Sequence, residues 1–117
     1  MRILLLNLYL LSYIFSVQNS NINEVQISYV GESIILHCNS DTQDVDWIIS
    51  KFNKTSEYIY SNNVIYTDYI NKCNILRFGK QFNLFINNTQ KSDIGLYKCI
   101  EDSGASKEEY NLSLIHI

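Results

Sequence analysis

Few side chains in this sequence have chemistry to offer. Cysteines stand at positions 38, 73 and 99, histidines at 37 and 116, and an acid, a glycine, an aromatic and a thiol alternate at Asp93, Gly95, Tyr97 and Cys99. A zinc-type centre needs three or four convergent ligands. His37 and His116 fall on segments that belong to different sheets, so no shared metal is expected. There is no glycine-rich phosphate loop, no nucleophile elbow and no acid pair with an evident cleft. The expectation is a non-enzymatic protein without cofactor or metal. Three Asn-x-Ser/Thr sequons, at Asn53, Asn87 and Asn111, are glycan acceptors if the chain is exported. In so asparagine-rich a chain each also has an ordinary chance of arising at random.

The elements that position these groups fit in one domain. The chain has 117 residues and a formal charge of -3, which suits a single small core and argues against a phosphate-backbone partner such as nucleic acid. Arg2 followed by the apolar run Ile3 to Phe15, and then by the small or polar Ser16 to Ser20, has the layout of a signal peptide. We place it at residues 1–18 and the domain at 19–117; an uncleaved N-terminal anchor is the alternative. No later segment approaches the roughly 20 apolar residues that a membrane span needs. A secreted product is therefore expected, with its cysteines in an oxidising compartment. Three is an odd number, so at most one internal bridge forms and one thiol remains. The chain has no proline, one alanine and many Asn, Ile and Tyr. AT-rich codons would produce that bias.

Beyond the leader, helical periodicity is absent and short β-rich runs alternate with polar clusters. Strands are expected at 24–30, 33–38, 45–50, 57–61, 73–78, 82–87, 95–100 and 109–117, with one or two short edge strands between 61 and 73. About nine strands with no covering helix fold most economically as two antiparallel sheets packed face to face. Strand parity turns Cys38, Trp47 and Cys99 inward. A Cys38–Cys99 bridge would pin the two sheets, with Trp47 packed on it. Tyr97 is placed to turn its hydroxyl back to the main chain. Asp93, half-buried at that corner, needs a partner, and Arg77 is the expected one.

The set Cys38, Trp47, Arg77, Leu84-x-Ile86 and Asp93-x-Gly95-x-Tyr97-x-Cys99 resembles an immunoglobulin variable-type domain over about residues 21 to 117. The resemblance implies an immunoglobulin-like β-sandwich with an abbreviated C′–C″ region, because 61 positions separate the two cysteines. The last strand lacks a Gly-x-Gly bulge, so antibody-style pairing is not implied. The AT bias, the leader and "EEY" at 108–110 also resemble the immunoglobulin-like glycoproteins of poxviruses, among them hemagglutinin-like and immune-receptor-mimicking proteins.

The remaining features concern surfaces. Ile48, Lys98 and Ile100 point outward from the sheet that carries Trp47, with Tyr58 and Tyr60, or Ile59 by the other parity, beside them. An apolar-aromatic cluster of this type marks an interaction site unless a loop or second domain covers it. The resemblance implies that this GFCC′ face meets a host cell-surface or soluble immune protein. The alternative is the ectodomain of a hemagglutinin-like membrane glycoprotein that acts in adhesion or self-association. Cys73 sits in an edge region, where it is either a half-buried free thiol or the link of a covalent homodimer.

Overall fold

A computed structural model of the chain describes residues 23–101 and 104–115. The expected leader and His116 lie outside the described residues. Nine strands form among them: β1 (Asn23–Tyr29), β2 (Ile34–Leu36), β3 (Val45–Ser50), β4 (Glu57–Ser61), β5 (Val64–Ile65), β6 (Cys73–Phe78), β7 (Gln81–Ile86), β8 (Gly95–Glu101) and β9 (Ser106–Ile115). Two single-turn 3-10 helices, Thr67–Tyr69 and Lys91–Asp93, join them. The strands build two sheets, ordered β1-β9-β8-β3-β4-β5 and β2-β7-β6, whose apolar faces enclose one core.

The larger sheet is mixed, which corrects the expectation of two antiparallel sheets. β1 runs parallel to β9, from Asn23 opposite Glu109 to Tyr29 opposite Ile115. No hairpin joins these two strands, so no turn imposes the antiparallel direction. The whole domain is their crossover connection.

Three local departures from regular strand geometry matter. The expected strand 33–38 ends at Leu36. Beyond it the Asn83 side chain steps into the ladder: the Cys38 N–H donates to Asn83 Oδ1 at 2.9 Å, and the Phe82 N–H donates to the Cys38 carbonyl at 2.8 Å. Parity nevertheless survives, and Leu36 and Cys38 are both buried. In β4, Trp47 pairs with Tyr60 but Ile48 pairs with Tyr58. Ile59 is thus the extra residue of a bulge. In β9 the strand begins at Ser106 rather than at 109, closed by Glu101 N–H to the Ala105 carbonyl at 2.9 Å.

Trp47, Ile49, Ile59, Tyr97 and Leu112 from the large sheet meet Leu36, Phe82, Leu84 and Ile86 from the small one. The Cys38–Cys99 disulfide crosses the core with a Cα–Cα distance of 6.5 Å and a sequence separation of 61. Closing a loop of that length removes chain entropy worth about 4 kcal/mol. Two further links join the sheets. Trp47 Nε1 donates to the Phe82 carbonyl at 2.8 Å, and the Tyr110 hydroxyl donates to the His37 carbonyl at 2.6 Å.

Candidate functional site

The corner around Asp93 supports β8. The Tyr97 hydroxyl donates to the Asp93 carbonyl at 2.5 Å, a tyrosine corner. Burial, then the Asp93 charge, raises the Tyr97 phenol far above its usual pKa. Asp93 Oδ2 accepts from the Gln90 N–H at 2.8 Å and from Lys72 Nζ at 2.9 Å. Lys72, not Arg77, is therefore the partner of Asp93. The register explains the correction: Cys73 lies opposite Ile86 and Arg77 opposite Phe82, so four residues at about 3.4 Å each carry Arg77 away from the corner. Arg77 instead stacks over the Phe82 ring, 4.3 Å from its centroid. Gly95 answers to space: a Cβ there would stand 2.9 Å from the Ser50 carbonyl oxygen. β8 and β3 can approach so closely only with glycine at this position.

The outer face of the six-stranded sheet is read from its registers. One row runs Glu109, Lys98, Ile48, Tyr58 across β9, β8, β3 and β4. The next runs Val25, Asn111, Leu96, Ser50 across β1, β9, β8 and β3. Ile48, Lys98 and Ile100 are half-buried and side by side, as expected. Tyr58 is 47% exposed and its ring lies 5.8 Å from that of Tyr66. Together these rings flank a groove of about 320 Å³ that also includes Glu57, Asp68 and Tyr69; the Tyr69 hydroxyl donates to Glu57. Tyr60 does not belong to the face. It is 5% exposed, because the bulge at Ile59 returns it to the interior.

β1 adds what sequence reasoning missed. Val25 is 66% and Ile27 57% exposed, with Tyr29 beside them, while Ser28 is buried and Gln26 half-buried. The alternation is inverted: apolar residues face solvent and polar ones face the interior. The period of two was legible in "EVQISY", but its phase was not. The phase is fixed by Thr89, whose hydroxyl donates to the Glu32 carbonyl at 2.9 Å, with the Tyr29 carbonyl at 3.2 Å and the Ser28 hydroxyl at 3.3 Å.

The other predicted positions sit apart from this face or on its rim. Cys73 begins β6, the edge of the small sheet, yet its side chain points inward and is 7% exposed. Burial first, and then the Asp93 charge, pushes its thiol up to about 12. Cys73 is thus a free thiol turned into the interior, set back from the surface at which a covalent homodimer would be joined. Asn53 lies on the β3–β4 turn with φ 57. Asn87 is exposed after β7, and Asn111 lies in mid-strand on the outer face, as parity predicted. Near Asn111, burial and then the Glu24 charge raise the pKa of the Glu108 carboxyl.

Among the described residues no group of three or more His, Cys, Asp or Glu side chains is arranged to hold a metal ion, and no helix is long and apolar enough to cross a membrane. No protein-family model matches this chain, and no curated protein is significantly similar to it.

Proposed function

We propose that this chain is a variable-type immunoglobulin-like binding domain of viral origin, exported, that engages a host cell-surface or soluble immune protein through the outer face of its six-stranded sheet. The observation that carries the reading is the outward apolar side of the inverted strand β1, whose Val25 shares a cross-strand row with Leu96 on the same sheet face as Ile48 and Ile100. Burying apolar area is worth about 25 cal/mol per Å², and a lone domain forgoes that gain when it turns Val25, Ile27 and Tyr29 outward. A partner recovers it. The strand order and the Cys38–Trp47–Cys99 core support the immunoglobulin likeness, and the composition of the chain supports the viral one. Ile48 and Ile100 are the central apolar contacts, Tyr58 an aromatic anchor at one border and Lys98 the charge that sets register with the partner.

The test is Ile48→Asp with Ile100→Asp. Both side chains face away from the core, so the double variant keeps its circular-dichroism spectrum and its disulfide. Staining of leukocytes by the tagged domain falls at least tenfold. Undiminished staining sinks the proposed face. If the face serves self-association instead, the wild-type domain sediments in a concentration-dependent way and the double variant does not.

A further inference from the structure

The three sequons share a pattern of residues but not an environment. In glycan transfer the asparagine amide nitrogen attacks the anomeric carbon of a lipid-diphosphate-linked oligosaccharide. The carbon–oxygen bond to the diphosphate breaks, a nitrogen–carbon bond forms, the lipid diphosphate leaves with the electron pair, and the amide gives up one proton. The transferase must grip the asparagine and the hydroxyl two residues on together, which requires a bent and accessible backbone.

Asn53 meets that requirement on the folded domain. Its backbone is left-handed (φ 57) at the tip of a turn closed by the Lys54 N–H to the Lys51 carbonyl, and Asn53, Lys54 and Thr55 are all exposed. Asn87 does not. Its side chain is exposed, but the hydroxyl that the sequon requires belongs to Thr89, which is 0% exposed and engaged with Glu32, Tyr29 and Ser28. The backbone is held on both sides: Asn87 N–H donates to the Lys72 carbonyl and Thr89 N–H to the Glu32 carbonyl, each at 2.8 Å. Asn111 is closed in a different way. It is extended in mid-strand, with Val25 on one side and Leu96 on the other. Bending it would pull Leu112 from the core.

The structure assigns the three acceptors to two windows: Asn53 is open to modification after folding, whereas Asn87 and Asn111 are open only before β1, β8 and β9 close. In the cell the inference rests on the proposed export of the chain, since the lipid-linked donor is met there. It has a consequence for the binding face. A chain modified at Asn111 before folding carries its glycan between Val25 and Leu96, which closes the β1 half of the face and leaves the half around Ile48, Ile100 and Tyr58. The relative speed of folding and transfer thus sets which half a partner can use.

The test uses purified oligosaccharyltransferase and lipid-diphosphate-linked oligosaccharide with two preparations of the chain, one folded and disulfide-bonded, the other reduced, alkylated and unfolded. Occupancy is read site by site by mass spectrometry. Asn53 is modified in both preparations to within twofold. Asn87 and Asn111 are modified in the unfolded chain and at least tenfold less in the folded one. Equal occupancy at Asn87 or Asn111 in the two preparations overturns the inference, as does a folded domain that excludes Asn53. Export is tested separately, by protease protection after translation with microsomes. Failure there sinks the secretory reading and leaves the two windows standing.

Discussion

Strands β1 and β3 belong to one sheet and carry the same alternation of apolar and polar residues, yet they point it in opposite directions. In β3, Val45, Trp47 and Ile49 face the core and are at most 2% exposed. In β1, Val25, Ile27 and Tyr29 face solvent while Ser28 is buried. The central strand has neighbours on both edges, and its phase is set by the disulfide and the cross-sheet contacts of Trp47. The edge strand has one neighbour, β9, and its phase is set by hydrogen bonds to Thr89. A hydrophobic pattern therefore reports orientation where the core holds the strand. Where polar contacts hold it, the pattern reports only that a strand exists.

The largest test of this contrast compares Ile49 with Ile27. Truncating a buried isoleucine costs about 2–5 kcal/mol, from lost transfer energy and the cavity left behind. Ile49→Ala should lose that much in urea unfolding. Ile27→Ala should change stability by less than about 0.5 kcal/mol, as expected for a surface position, and should weaken partner binding instead. Equal losses from the two variants would show that β1 packs its apolar face inward after all.

A smaller effect addresses the clamp. Thr89→Val keeps the shape of the side chain and removes the hydroxyl that lies among Glu32, Tyr29 and Ser28. Loss of a buried hydrogen bond costs about 1–2 kcal/mol when its partners stay unsatisfied. Amide exchange should quicken in β1 and remain slow in β3 and β8. Uniform quickening through all three strands would mean that Thr89 supports the domain generally and does not set the phase of β1.

Much of the fold was legible for reasons that the same contrast explains. Cys38, Trp47, Tyr97 and Cys99 are read correctly because each lies where alternation meets a dense core, and parity alone fixes the side. The corner was half legible: a carboxylate at Asp93 demands a cation, but the choice between Lys72 and Arg77 depends on the β6–β7 register, which no local pattern encodes. Tyr60 was misread because one bulged residue, Ile59, reverses parity after it. The parallel pairing of β1 with β9 was invisible, since it joins the two ends of the domain and no turn announces it.

Cys73 offers the finest comparison, between the edges of the two sheets. β1 at one edge turns its apolar residues out, whereas β6 at the other keeps Cys73 in. The thiol has an ordinary pKa of 9 in the unfolded chain and about 12 in the folded one. Well below pH 9 it is protonated in both states and contributes no pH dependence. Between 9 and 12 the unfolded chain releases its proton and the folded domain retains it, so stability falls as pH rises. At pH 10 the loss from this group is about 1 kcal/mol. Buried tyrosines with raised pKa values add a loss of the same sign, so the measurement that isolates the thiol is the difference between wild type and Cys73→Ala. Wild type should lose about 1 kcal/mol more than the variant between pH 8 and pH 10, and native Cys73 should alkylate at least about a hundredfold more slowly at pH 8.5 than the unfolded chain. Rapid native alkylation, or a Cys73-linked dimer on a non-reducing gel, would mean that β6 opens as freely at its edge as β1 is exposed at its own. The two edges would then differ only in sequence and not in how firmly the core holds them.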